Sequence, residues 1–298
     1  MAQPPDISAL LESLDKAPVT GKAGQGDGKR AKNHAALAPM VTRCNAWLSV
    51  EKDMVPPRIL VICAAGPGSS ALDLFPDWGH NQVDLCLVWY GDDSNVPEVP
   101  GAKCIMVRKG PKWQLVRAAL LDGVPSWRED YDFIWLPDDD LKWETGGLIE
   151  FVRTARGLGL VLCQPSLVDE NMTCTAYRAV LTRPTDYPNV VGHRTNFVEI
   201  MCPLLTSAAL ARVFETFNND ICRAGWGLDS VWPRLLPHDK IGVVDSVRIF
   251  HTRPPNSFNR KSEAYQGGVD DPRLEEHNLL TKYRVGDTKK RLLEVFVT

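Results

Sequence analysis

Five apolar runs of strand length, separated by helix-forming and turn-forming stretches, constrain this chain more than any other feature. They are "RILVICA" (58–64), "DLCLVWY" (84–90), "AKCIMVR" (102–108), "YDFIWL" (131–136) and "LVLCQPSL" (160–167). Each is too short for a core helix and is bounded by small or polar residues, which predicts buried strands. Between them, "PKWQLVRAALL" (111–121) and "TGGLIEFVRTARG" (145–157) are predicted helices. Pro111 suits a first turn, Thr145 a cap and Gly157 a stop. Such alternation argues for an α/β fold with a mainly parallel sheet and helices on both faces. Ligands of open α/β sheets bind at the carboxyl ends of the strands. "AGPGSS" (65–70), "GDDSN" (91–95) and "PDDDL" (137–141) should therefore gather on one edge.

The flanks read differently. Residues 1–35 are rich in Gly, Pro, Lys and Asp and are expected to form a mobile arm. Leu37, Met40, Val41, Cys44 and Leu48 recur at helical spacing, which predicts a docked helix over 36–48. Beyond the alternating half, "AYRAVLTR" (176–183) and "NFVEIMC" (196–202) read as strands with a loop at 183–195 between them. A helix is expected at about 206–219, a strand in "IGVVDSVRIFHT" (241–252), and a helical tail over 261–298. This organisation gives one catalytic domain over 36–298, with a nucleotide-binding half at about 58–170 and an acceptor half at about 171–260.

Bulk properties narrow the function. The formal net charge is −3, which argues against generic binding to nucleic acid or acidic membranes. The chain has no run of about 18 apolar residues of the kind that spans a bilayer. The N-terminus carries acids and prolines where a signal peptide needs a basic end and an apolar core, so a cytoplasmic protein is expected. None of the eight cysteines forms a C-x-x-C pair. They read as reduced thiols filling small core positions.

Five segments could carry chemistry. Asp138, Asp139 and Asp140 follow a buried strand. In that place one carboxylate can bind a hard divalent cation while its neighbour reaches a ribose or a metal-bound water. A solvated acidic turn explains the same residues. Ala65 and Gly66 open a glycine-rich turn that lets backbone approach a nucleotide, and a plain strand-to-helix turn reads equally well. Asp92 lies in the matching turn after the second strand. Arg108, Lys109, Lys112 and Arg117 could balance a diphosphate or form a solvated helix face. In "GWGLDSVW" (225–232), Trp226 offers a flat surface and Asp229 a base, unless Asp229 or Ser230 merely caps a helix. His251 ends a strand, and with Asp138 and Asp140 it makes a metal-ligand set drawn from two distant segments.

The order of these pieces resembles metal-dependent nucleotide-sugar glycosyltransferases of the GT-A type. More narrowly, "YDFIWLPDDDL", "CQPSL" (163–167), "NFVEIMCPLLT" (196–206), "NDICRAGWGLD" (219–229) and "IGVVDSVRIFH" (241–251) resemble an uncharacterised, glycosyltransferase-like family of the domain-of-unknown-function kind. That family is expected to carry Asp-Glu-Asp where this chain has Asp138-Asp139-Asp140. The outer acids match, and the middle one is left without a clear role.

The resemblance implies a GT-A-like fold. It implies Mn2+ or Mg2+ at Asp138, Asp140 and His251, and a nucleotide diphosphate sugar as donor, UDP-sugars first among them. Ala65, Gly66, Asp92, Lys109, Lys112, Asp138 and Trp226 would line the donor site. Asp229 would be the general base of an inverting, hexosyltransferase-like reaction, with Glu199 a second acid holding the acceptor. The acceptor could be a glycan, a lipid, a protein or a modified nucleic acid. Two rival readings share these acids: a metal-dependent nucleotidyltransferase, and a non-catalytic nucleotide- or glycan-binding module on a transferase scaffold.

Overall fold

The structure is a computed structural model that describes residues 41–44, 54–74, 81–168, 181–182, 189–218, 221–252, 272–286 and 288–298. The expected N-terminal arm, the strand at 176–183 (save residues 181 and 182) and the ends of the helix at 36–48 lie outside them.

The first half follows the alternating pattern. Strands β2 (Ile59–Ala65), β3 (Val83–Trp89), β4 (Cys104–Val107) and β5 (Phe133–Trp135) are all parallel, in the order β5-β2-β3-β4. Every residue of β2 is buried. Side chains alternate faces along a strand: Ile59, Val61, Cys63 and Ala65 enter one core cluster, while Leu60, Ile62 and Ala64 enter the other. The strand thus reads as a continuous apolar run because both of its faces are covered.

The helices between these strands are short. They are α1 (Ala71–Leu74), α2 (Lys112–Ala118), which runs on into a wider turn at Ala119–Gly123, and α3 (Trp127–Asp130). Helix α4 (Leu148–Gly157) buries Leu148, Phe151, Val152 and Ala155 on one stripe. Thr145 does not cap it. Thr145 closes an unexpected strand, β6 (Leu141–Thr145), and Gly147 is the N-cap.

The sheet continues without a break through β7 (Leu162–Leu167), β8 (Val190–Thr195), β9 (Leu204–Thr206), β10 (Ile241–His251) and β11 (Leu292–Val297). With β1 (Val41–Arg43), its full order is β1-β11-β8-β10-β7-β9-β5-β2-β3-β4, with β6 paired to β10. The fold class is therefore α/β, with a largely parallel central sheet and helices around it. Antiparallel pairs join β9 to β5 and β7, and β8 to β10 and β11. Helix α5 (Ser207–Val213) is capped by Thr206, whose hydroxyl accepts from Ala209 N. Helices α6 (Leu228–Leu235) and α7 (Pro272–Lys282) follow in the chain.

Four expectations need correction. Within 36–48 the described residues include strand β1 (Val41–Arg43), which pairs in parallel with β11. A free strand edge overrode the helical spacing there. The expected loop at 183–195 contains β8, and the expected strand at 196–202 is not a strand. Its backbone is diverted to side chains: Gln164 Oε1 accepts from Glu199 N at 2.6 Å, and Lys112 Nζ donates to the carbonyls of Ile200 and Met201. The tail has its helix at 272–282, but the chain then ends in β11.

Candidate active site

Because β2, β3 and β5 run parallel, the loops that follow them meet at one edge, as expected. Asp139, the middle acid, ties the three together. Its Oδ2 accepts from Tyr90 Oη at 2.7 Å and from Gly66 N at 3.3 Å. Its carbonyl accepts from Ser70 N at 2.9 Å and from Ser69 Oγ at 3.0 Å. A Cβ on Gly66 would lie 2.0 Å from the Tyr90 ring, so glycine is required there for the tyrosine to reach Asp139. Asp139 is 7% exposed and is structural. Tyr90, which the sequence analysis left unassigned, is part of the same clasp.

The outer acids face elsewhere. Lys112, at the start of α2, donates from Nζ to Asp138 Oδ1 at 2.6 Å, to Ile200 O at 2.8 Å and to Met201 O at 3.1 Å. Its three protons are thereby accounted for. Burial raises the Asp138 carboxyl above its ordinary range; Lys112 opposes that and Asp140 adds to it. Asp140 Oδ1 lies 3.3 Å from His251 Nδ1. The β6–β10 pairing sets this contact, since Leu141 is the register partner of His251 and Thr252 N donates to Asp140 O at 2.7 Å. Burial lowers the His251 pKa, but the hydrogen bond and charge of Asp140, with Asp138 and Glu199, raise it on balance.

One ligand atom each from Asp138, Asp140 and His251 lie within 4.8 Å of one another. Two carboxylate oxygens and an imidazole nitrogen form a mixed oxygen and nitrogen donor set of the kind that binds divalent cations. The three residues could hold a metal ion.

Beside them are two further acids. Glu199 is part-buried; desolvation first, then the charges of Asp229 and Asp138, push it up to about 7. Asp229 sits in the first turn of α6, and burial pushes it up to about 6 against the pull of Lys290. Lys290 Nζ donates to Ser230 Oγ at 2.7 Å and lies 3.8 Å from the centre of the Phe197 ring. Neither Asp229 nor Ser230 is the cap of α6. Gly227 is, at φ 94°, and no side chain caps it. Trp226, between Gly225 and Gly227, is 40% exposed. Lys109 and Asp92 pair with each other at 3.2 Å on the surface. Such exposed pairs contribute little to stability.

Residues 100–282, more than half of the chain, match the family described as Protein of unknown function (DUF707). The chain belongs to the DUF707 family. No curated protein sequence matches it. Among solved structures it is similar to the crystal structure of GalNAc-T7 with UDP, GalNAc and Mn2+, at 10% identity and a TM-score of 0.51, over 90% of this chain and 62% of that one. It is also similar to A197 from STIV (13% identity, TM-score 0.41, 65% of this chain and 85% of that). A third is a mycobacterial protein (15% identity, TM-score 0.45, 81% and 80%). The first of these likenesses shows that this DUF707 chain has a GT-A glycosyltransferase type of fold. No helix among its described residues is long and apolar enough to cross a membrane.

Proposed function

We propose that the protein is a metal-dependent glycosyltransferase that moves a sugar from a nucleotide diphosphate sugar, UDP-sugars first, to an acceptor hydroxyl. One observation carries this: Asp138, Asp140 and His251 converge at the carboxyl edge of a parallel sheet, where α/β folds bind ligands, on the fold of a protein solved with UDP, GalNAc and Mn2+. We read residues 36–298 as one catalytic unit, supported by the single sheet that runs through both halves. The cytoplasmic setting remains part of this reading, supported by the seven free thiols among the described residues.

Asp138, Asp140 and His251 would hold Mn2+ or Mg2+, which when bound supplies Lewis-acid neutralisation of the charge growing on the departing diphosphate. The Ala65–Gly66 backbone and the Asp92 turn border the donor, with Lys109 at the rim. Lys112 serves the donor indirectly, by holding Asp138. Asp229 takes the proton of the acceptor hydroxyl as that oxygen bonds to the anomeric carbon. The bond from that carbon to the diphosphate oxygen breaks, and its electron pair leaves with the nucleotide. Attack from the face opposite the leaving group inverts the centre. Glu199, whose carboxyl is pushed up to about 7 by burial, can hold the acceptor by hydrogen bonds, and Trp226, expected at the donor, lies three residues before Asp229 and is read as a flat apolar face for the acceptor.

The test is UDP affinity by calorimetry with Mn2+ and with chelator, followed by turnover of UDP-sugars against glycan, lipid, protein and nucleic-acid acceptors. Tighter binding in Mn2+ and sugar transfer are expected. Equal affinity in metal and chelator would sink the proposal.

A further inference from the structure

Helix α7 supplies none of the metal, donor or base residues, yet one of its side chains holds the loop that carries Trp226. Glu275 accepts three consecutive backbone N–H groups. Arg223 N and Ala224 N donate to Oε2 at 2.8 and 3.0 Å, and Gly225 N donates to Oε1 at 2.8 Å. Cys222 Sγ adds a contact to Oε1 at 3.4 Å. Successive amides turned towards one point form a concavity suited to an anion, and here the anion is a carboxylate from 50 residues further along the chain.

The same helix packs on the next turn. A Cβ on Gly227 would lie 3.4 Å from the Glu276 backbone and from the buried Leu279 side chain. Gly225 and Gly227 both adopt left-handed φ, at 91° and 94°. Glycines are the least restrained residues of a chain, and Gly227 caps α6 without help from a side chain. The turn that aims Asp229 is therefore soft by itself and takes its shape from outside. Trp113 supplies one wall, since its Nε1 would lie 2.0 Å from a Cβ on Gly225. Glu275 supplies the hydrogen bonds.

We infer that Glu275 is a positioning residue: it fixes the 223–227 turn, and through it the place of Asp229, which gives α7 a role at the site. The inference rests on the transferase reading. It specifies more than a stabilising contact, because a displaced Asp229 lowers turnover without weakening the donor site.

The experiment compares the full-length wild type with E275Q and E275D in Mn2+, using UDP-GalNAc and UDP-glucose as probes and water as the acceptor that takes the sugar. UDP release is read as kcat and donor KM, and backbone hydrogen exchange is followed over 222–228. Glutamine offers one acceptor oxygen where glutamate offers two, and its NH2 group opposes an amide N–H. Exchange at 223–225 should rise about tenfold or more in E275Q, the scale of losing a charge-assisted hydrogen bond. Its kcat should fall by roughly a hundredfold, the scale of misplacing a reacting group, with donor KM held. E275D, which keeps both oxygens on a shorter stem, should fall between. Unchanged exchange at 223–225, or faster exchange with wild-type kcat, overturns the role of Glu275. If E275Q loses protection across the whole sheet it has unfolded, and E275D decides by the same two outcomes. A wild type that releases no UDP from either probe overturns the transferase reading and this catalytic role with it. An active wild type and an equally active E275Q overturn this role alone.

Discussion

The positive charge that meets Asp138 belongs to Lys112, whose Nζ lies 2.6 Å from Asp138 Oδ1. The other two acids of the triplet are answered differently, Asp139 by Tyr90 and Gly66 N, and Asp140 by His251. Three adjacent carboxylates are compatible with one turn because each faces a separate partner. Lys112 also clamps the Ile200 and Met201 carbonyls, so it orders the loop that carries Glu199. Lys112→Met removes all three contacts and leaves a half-buried carboxylate without its cation. A loss of about 3 kcal/mol is expected, near the cost of breaking a buried charged pair. Urea unfolding in chelator measures it, and a stability equal to wild type would show that the clamp does not matter.

The three aspartates should separate by substitution. Asp140→Asn should lose most of the rise in melting temperature that Mn2+ plus UDP gives wild type, since a ligand that binds only the folded state stabilises it by mass action. Asp139→Asn keeps an oxygen for Tyr90 and Gly66 N, and should retain that rise at a cost of about 1 kcal/mol in basal stability. Thermal melts with and without Mn2+ and UDP check both. An Asp139→Asn protein blind to metal would make the middle acid a ligand after all.

The clasp on Asp139 can be broken from either end. Tyr90→Phe removes one hydrogen bond and should cost about 1 kcal/mol. Gly66→Ala drives a methyl group into the Tyr90 ring and should cost more, about 1–3 kcal/mol, as overpacking does. In a cycle of wild type, Gly66→Ala, Tyr90→Ala and the double variant of these two, the clash is absent from the double, so the two single costs should not add. Denaturant titrations of the four proteins give the coupling, and strict additivity would contradict the contact.

Asp229 has two pH signatures. As a base it must be ionised, so transfer should fall as pH drops through about 6. Lys290 favours the ionised form, and Lys290→Met should move that acid limb to higher pH. Asp229→Asn should lower transfer by about two to four orders of magnitude with donor affinity kept. Stability runs the other way. A folded-state pKa raised from 3.8 to about 6 means that the protonated form is the favoured one in the fold. That contribution is full below the unfolded value and is lost as pH rises through the folded one. Wild type should therefore lose melting temperature relative to Asp229→Asn between about pH 4 and 6. Parallel melting curves across that window would place Asp229 in solvent.

The sequence by itself determined the strands of the first half, because a strand covered on both faces must be apolar throughout, and "ILVICAA" can be nothing else once its ends are marked by turns. It also determined that Ala65, Gly66, Asp92 and the aspartate triplet share an edge, since parallel strands deliver their following loops to the same side. The resemblance to a glycosyltransferase-like family of the domain-of-unknown-function kind, and with it the GT-A type of fold, was legible in motifs spread from Tyr131 to His251. The second half was not legible to that degree. Strand β8 and the irregular 196–202 segment were exchanged in the reading, because side chains of Gln164 and Lys112 take backbone groups that local pattern assigns to a ladder. The partners of the acids were decided by tertiary structure alone. Asp140 meets His251 only because β6, a strand with no sequence signal of its own, pairs with β10, and Thr252 holds the Asp140 carbonyl from 112 residues away. Hydrophobic periodicity is a local property that a single stretch expresses. The meeting of a carboxylate with its cation, or of Glu275 with three amides, depends on distances between segments that no local pattern encodes.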